Sequence, residues 1–254
     1  MKRFLYDYRT SVTFGAPVSV HAIKLRCVPC ANACQQVEVA HLVLSPLFWT
    51  KSCTDSFGNQ LVYGGTSEPH TSLVYVSTGI VALSEYSIPA DEVAPYYRMF
   101  SRLVPFIPEM ACYAWPSVVT IVDAAASVCQ WVNQWVVYSA GSTFMETTAA
   151  DVYSLRKGVC QDFAHLMISV CRQRGFAARY VAGLLLGTGL THAWVEVWDG
   201  KEWIGFDPTN NCRISYGYIK IAHGRDAADC SVSRGTYLGV TSQVTSINVS
   251  VQEV

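Results

Sequence analysis

The chain has 254 residues, 51% of them hydrophobic and 15% charged, enough apolar sequence to bury a sizeable core without disulfide or metal staples. Its 18 basic and 19 acidic residues nearly cancel, and no Lys/Arg cluster exceeds the opening Met1-Lys2-Arg3, so neither nucleic acid nor a membrane is an expected partner. The ten cysteines are scattered through a chain too long for a small disulfide scaffold and read as mostly buried thiols; with no unbroken apolar leader and no apolar run of roughly 20 residues, a cytoplasmic protein is expected.

From residue 4 to 90 the chain is rich in Val, Thr, Tyr and Phe, broken at short intervals by Pro, Gly, Asn or Ser. That pattern predicts short antiparallel strands, such as Val37–Leu44 and Leu73–Val76, with a turn at Asp55–Asn59. Residues 89–116 carry five prolines and no clean period, which suits a connecting segment. The predicted division is an N-terminal β-rich domain over 1–100 and a catalytic domain over 101–254.

Ser117 to Val137 contains neither Gly nor Pro, and Val118, Ile121, Val122, Ala125, Val128, Cys129, Val132 and Val136 recur at helical spacing. Thr148 three residues ahead of Asp151 is a helix-start signal. Another helix is predicted from Cys160 to Arg174, stopping at Gly175. Strand-like runs return from Ala177 to the C-terminus.

Cys160 therefore stands at a predicted helix start, where unpaired amides and the dipole favour a thiolate and can bond an oxyanion on a substrate carbonyl. His192–Trp198 and Lys201–Asp207 are alternating runs joined by Asp199-Gly200, a strong two-residue hairpin signal. With that turn, Trp198 faces Lys201 and His192 faces Asp207, their Cβ atoms about 4.5–5.5 Å apart. A carboxylate there can hold one imidazole nitrogen and leave the other to take a proton from a third group, the logic of a nucleophile, base and orienter. Cys160 is the helix-borne candidate for that third group.

The segments Lys157–His165 (KGVCQDFAH), Ala178–Gly183, Thr191–Val197 (THAWVEV) and Trp203–Asn210 (WIGFDPTN) resemble the transglutaminase-like superfamily, in its prokaryotic cysteine-peptidase type with an N-terminal β domain. The resemblance implies an α+β, papain-like fold in which a Cys-bearing helix packs on an antiparallel sheet bearing His and Asp. It implies Cys160 as nucleophile, His192 as base and then acid, and Asp207 as the orienting carboxylate. Family members often use a ring donor upstream of the Cys for the oxyanion, for which Tyr138 is the candidate here; Gln161 and Trp194 are further oxyanion or cleft candidates. The implied activity is thiol-dependent hydrolysis of a peptide or amide bond in a peptide or protein substrate, without a cofactor. Transamidation of protein glutamine, or a catalytically silent binding module on the same fold, are the alternatives.

Other features read as structural. His165 lies well round the predicted helix from Cys160. Cys27, Cys30 and Cys34 have metal-like spacing but lack a fourth ligand beyond His21 or His41, so no metal site is expected. Glu196 and Glu202 fall at non-facing hairpin positions, which excludes a glycosidase-type carboxylate pair. Cleft walls are expected from loops around 139–146 and 184–191.

Overall fold

A computed structural model describes residues 1–90, 93–112 and 120–254. The N-terminal region is built on one long strand, β1 (Lys2–Leu25), in which Phe4, Tyr6, Tyr8 and Thr10 are buried at every second position while Arg3, Asp7 and Arg9 face out. It is followed by β2 (Gln35–Ser45), β3 (Trp49–Thr54), β4 (Gln60–Thr66) and β5 (His70–Leu83), with Asp55–Asn59 forming the β3–β4 turn. The first half of β1 pairs with β5, and its second half pairs with β4. The pairing slips between Thr13 and Val18, and Val20 takes a φ of 47°, so the strand bends from one arm of the sheet into the other.

After a two-residue strand β6 (Ile88–Pro89), helix α1 spans Ile121–Trp135. The Thr120 hydroxyl caps it by accepting from Asp123 N, and Ala124, Ala125, Val128, Cys129 and Val132 form its buried stripe. The three residues 117–119 of the expected helix lie outside the described residues. Strand β7 (Val137–Tyr138) leads to α2 (Ala149–Leu155), where Thr148 and Asp151 form the reciprocal cap their spacing predicts. Strand β8 (Lys157–Gly158) precedes α3 (Cys160–Gln173), which ends before Gly175 at a φ of 82°. From Phe163 to Arg172 every residue of α3 is buried, as expected of a central helix.

The remaining strands are β9 (Ala178–Leu185), β10 (Gly187–Gly189), β11 (His192–Trp198), β12 (Glu202–Asp207), β13 (Cys212–Arg213), β14 (Tyr218–Gly224), β15 (Ser233–Leu238) and β16 (Gln243–Glu253). The core sheet runs β13-β12-β11-β9-β14, antiparallel throughout, with α3 across β11 and β9. Ala193, Val195 and Val197 share one apolar cluster with Phe163, Leu166 and Met167 of α3, while Trp194 on the opposite face packs with Tyr86, Val181 and Tyr218. The strands that end the chain, which the sequence alone assigns to the catalytic half, instead join the N-terminal sheet: β15 and β16 both pair with β1. Pairing over that distance leaves no local signal, because the partners of β1 lie more than 200 residues away.

One glycine governs how closely this sheet packs. A Cβ on Gly183, which sits opposite His192, would lie 2.3 Å from the Trp194 ring and 2.2 Å from Ile219 O. Gly183→Ala is expected to cost about 1–3 kcal/mol through overpacking, read as a fall in the thermal midpoint of a few degrees for a chain of this size.

Candidate active site

The hairpin that carries His192 and Asp207 has its turn one residue further along than Asp199-Gly200. Val195 pairs with Phe206 and Trp198 with Trp203, so Gly200 and Lys201 are the central turn residues. The cause is local: the Asp199 carboxylate accepts from Lys201 N at 2.8 Å and Glu202 N at 2.9 Å, and Gly200 takes a φ of 116°. Moving the turn by one residue moves the register by two, so His192 and Asp207 are diagonal neighbours on one face instead of direct partners. The imidazole bridges that diagonal, its Nε2–H donating to Asp207 Oδ2 at 2.7 Å.

Asp207 is fully buried and surrounded by donors. Its Oδ2 also accepts from Tyr218 Oη at 2.9 Å and Asn210 Nδ2 at 2.7 Å, and its Oδ1 accepts from the amides of Thr209 and Asn210. Burial pushes this carboxyl up, but the bond and charge of His192 with the Asn210 and Tyr218 bonds outweigh it and hold the group below its ordinary value. With Nε2 engaged, the other ring nitrogen is left free, and His192 and Cys160 line the same cavity. Burial lowers the imidazole, yet its bond to Asp207 and the influence of Cys160 raise it to about 9. The imidazolium is thus favoured by the fold; its contribution to stability is complete below pH 6.5 and is lost as pH rises through about 9.

Cys160 is partly exposed at the first position of α3. The first internal bonds of this helix are donated by Asp162 and Phe163 to Val159 O, so the amides of Cys160 and Gln161 point ahead of the ladder. Val159 has no side-chain acceptor to cap the helix. Asp162 does this work from inside, its Oδ2 accepting from Val159 N at 2.7 Å and from Thr143 Oγ1 at 2.6 Å. A Cβ on Gly158 would lie 2.5 Å from Asp162 Cβ, which is why the carboxylate can fold back under the loop. A short parallel ladder pairs Tyr138 with Gly158 and so holds Tyr138, more than half exposed, beside Cys160.

Cys160, Gln161, Tyr138 and His192 all line one cavity of about 1070 Å³, whose walls include the loops around Gly141–Glu146 and Leu185–Thr191. Trp194, expected at the cleft, is instead fully buried beneath His192: its ring occupies the space left by the missing side chain of Gly183, and its Nε1–H donates to Tyr86 Oη at 2.9 Å. His165 is buried in α3, its Nε2 accepting from Ala227 N. Cys30 and Cys34 turn to separate oxygens, Lys220 O and Asn32 Oδ1. Among the described residues no three His, Cys, Asp or Glu side chains converge as a metal site, and no helix is long and apolar enough to cross a membrane.

Sequence reasoning missed the group behind the hairpin. Glu196, set aside as half of a failed carboxylate pair, is wholly buried and ion-paired with Arg179 and with Lys220 Nζ at 2.8 Å. Tyr86 Oη donates to it at 2.5 Å, completing a chain of contacts from Glu196 through Tyr86 to Trp194 under His192. An acid in the middle of the otherwise apolar Ala193–Trp198 was the available signal.

The chain matches the model of the transglutaminase-like superfamily over residues 114–208 and that of the bacterial transglutaminase-like N-terminal region over residues 5–82. An uncharacterised protein of Mycobacterium tuberculosis is 31% identical, the alignment covering 87% of this chain and 83% of that protein. One of Mycobacterium leprae is 27% identical over 94% of each. The chain belongs to the transglutaminase-like superfamily. A crystal structure from Cytophaga hutchinsonii, described as that of a candidate cysteine protease, has the same fold: TM-score 0.85 at 24% identity, covering 100% of this chain and 91% of that one.

Proposed function

We propose that this chain is a thiol-dependent acyl-transfer enzyme that hydrolyses a peptide or amide bond, with Cys160 as nucleophile, His192 as proton carrier and Asp207 as the orienting carboxylate. The observation that carries this reading is the 2.7 Å bond from His192 Nε2 to buried Asp207, beside a cavity that both His192 and Cys160 line. That bond sets the tautomer and leaves the other ring nitrogen free to take the Cys160 proton.

In the first half-reaction the Cys160 sulfur adds to the carbonyl carbon and the carbonyl electron pair moves to oxygen. The amides of Cys160 and Gln161, free of the helix ladder, bond that oxyanion, with Tyr138, which lines the same cavity, as a further donor. Collapse breaks the C–N bond as His192 gives its proton to the departing amine, leaving a thioester. Water then adds as His192 takes its proton, and the C–S bond breaks to release the acid and restore the thiol. A primary amine in place of water gives transamidation through the same acyl-enzyme; incorporation of a labelled amine into a glutamine peptide distinguishes the two.

Alkylation by iodoacetamide with peptide mapping tests the thiol without a known substrate. Burial pushes Cys27, Cys129 and Cys171 up to about 12, so these stay inert, and Cys53, which is exposed, is the comparison. Cys160 is expected to label at pH 6 at least about tenfold faster than Cys53 and to lose that advantage in His192→Ala. Equal rates for the two thiols would sink the assignment.

A further inference from the structure

The cavity at Cys160 does not end at the catalytic elements. Its far wall is the N-terminal sheet, and the strand register defines that wall side chain by side chain. Thr10 of β1 stands between Tyr75 of β5 and Ile247 of β16, and Val12 stands between Leu73 and Thr245. Residues directly opposed on antiparallel strands share a face, so these six form one surface three strands wide, and all six line the cavity.

That surface is uncharged. Two of its three hydroxyls are engaged by Tyr8: Thr10 Oγ1 donates to Tyr8 Oη at 3.2 Å, and Tyr8 and Tyr75 share a bond of 3.3 Å. The ionised side chains in the lining outside the His192 pair, Arg102, Glu146 and Arg234, are all exposed and so belong to its edge. Exposed apolar side chains, Tyr138, Met145, Leu186 and Leu190, stand where the cavity opens. Apolar groups of this size on a rim, continuous with an apolar interior, mark a surface that is covered in use. At about 1070 Å³ the space slightly exceeds the range of a small-molecule pocket, roughly 300–1,000 Å³. It is also preformed, because β10 pairs with Val249–Val251 of β16 and ties the end of β9 to the N-terminal sheet.

We infer that this face of the N-terminal sheet is a substrate subsite, which takes an uncharged, apolar polypeptide segment adjoining the scissile bond. The inference rests on the reading of Cys160 as the nucleophile, and names the substrate class for that site. An uncharged wall selects by exclusion: a charged side chain placed on it would lose its hydration with no partner to replace it.

The test separates binding from turnover by using the full chain with Cys160→Ala. A fluorescein-labelled peptide of about ten residues rich in Leu, Val and Phe is titrated by anisotropy against a counterpart in which alternate positions are Asp or Lys. The apolar peptide is expected to bind at least about tenfold more tightly. Adding Val12→Asp or Thr245→Asp, the latter at an exposed position where folding is not at stake, is expected to weaken it about tenfold or more. Equal binding of the two peptides, or binding unmoved by either aspartate, overturns the subsite. Failure of the catalytic reading registers elsewhere, as Cys160 in the unsubstituted chain alkylating no faster than Cys53.

Discussion

Asp207→Asn is expected to leave the chain folded while lowering peptide or amide turnover by about 10³- to 10⁴-fold. The reason lies in the direction of the hydrogen bonds around this side chain. Every neighbour of Asp207 offers a proton: the Thr209 and Asn210 amides to Oδ1, and His192, Asn210 Nδ2 and Tyr218 to Oδ2. An asparagine keeps its oxygen on the two backbone amides and must then present its NH₂ where Oδ2 was. Asn210 Nδ2 loses its acceptor and Tyr218 can rotate its hydroxyl to accept, but His192 Nε2 can accept only if the ring proton moves to Nδ1, the nitrogen left free for the Cys160 proton. The imidazole then cannot take the thiol proton. Alkylation of Cys160 at pH 6 is expected to slow in parallel, whereas Tyr218→Phe, which removes one donor and leaves the tautomer alone, is expected to cost no more than about tenfold. An Asp207→Asn chain that retained turnover within tenfold of the parent would rule out Asp207 as the orienting residue.

The second large effect is on stability. Glu196→Ala removes the one anion between Arg179 and Lys220, both almost fully buried, and leaves two cations facing each other without water. Breaking a buried ion pair from one side costs about 3–5 kcal/mol, which for a chain of this length corresponds to a fall in the thermal midpoint on the order of 10 °C. Lys220→Met in the same background is expected to restore part of the loss, since it removes one orphaned charge; a denaturant titration of the single and double variants measures both. Burial raises the Glu196 carboxyl, but Arg179 and Lys220 outweigh it and hold the group well below its ordinary 4.5. Its contribution is therefore complete above pH 4.5 and shrinks as pH falls, so the gap between parent and variant should narrow in acid. A gap that widened in acid would mean that the two cations are not what Glu196 stabilises.

Local chemistry made much of this molecule legible in advance. The spacing of Phe163, Leu166, Met167 and Val170 marked α3, with Gly175 as its stop, and Thr148 with Asp151 marked the start of α2. Each depends on neighbours within one or two turns. The motif around Cys160 and the alternation of the two runs bearing His192 and Asp207 were likewise readable, because the side-chain period of a strand is two. That same period made the reading robust: the turn moved from Asp199-Gly200 to Gly200-Lys201 without carrying His192 and Asp207 to opposite faces.

What the amino-acid sequence determined by itself, then, was the helices, the strand character of the rest and the parity that keeps His192 and Asp207 together, whereas the short strands expected at the N-terminus are in part long ones, β1 of 24 residues and β5 of 14. The rest was decided by chain segments meeting across long separations. Trp194 is buried because Gly183, on the neighbouring strand, leaves room for its ring. Glu196 is tolerated in the core because Arg179, Lys220 and Tyr86 converge on it from three other parts of the chain. The cavity at Cys160 acquires its apolar wall only when β16 returns to lie along β1. No local propensity encodes such meetings, since each is stabilised by burial and pairing that exist only once both partners have arrived.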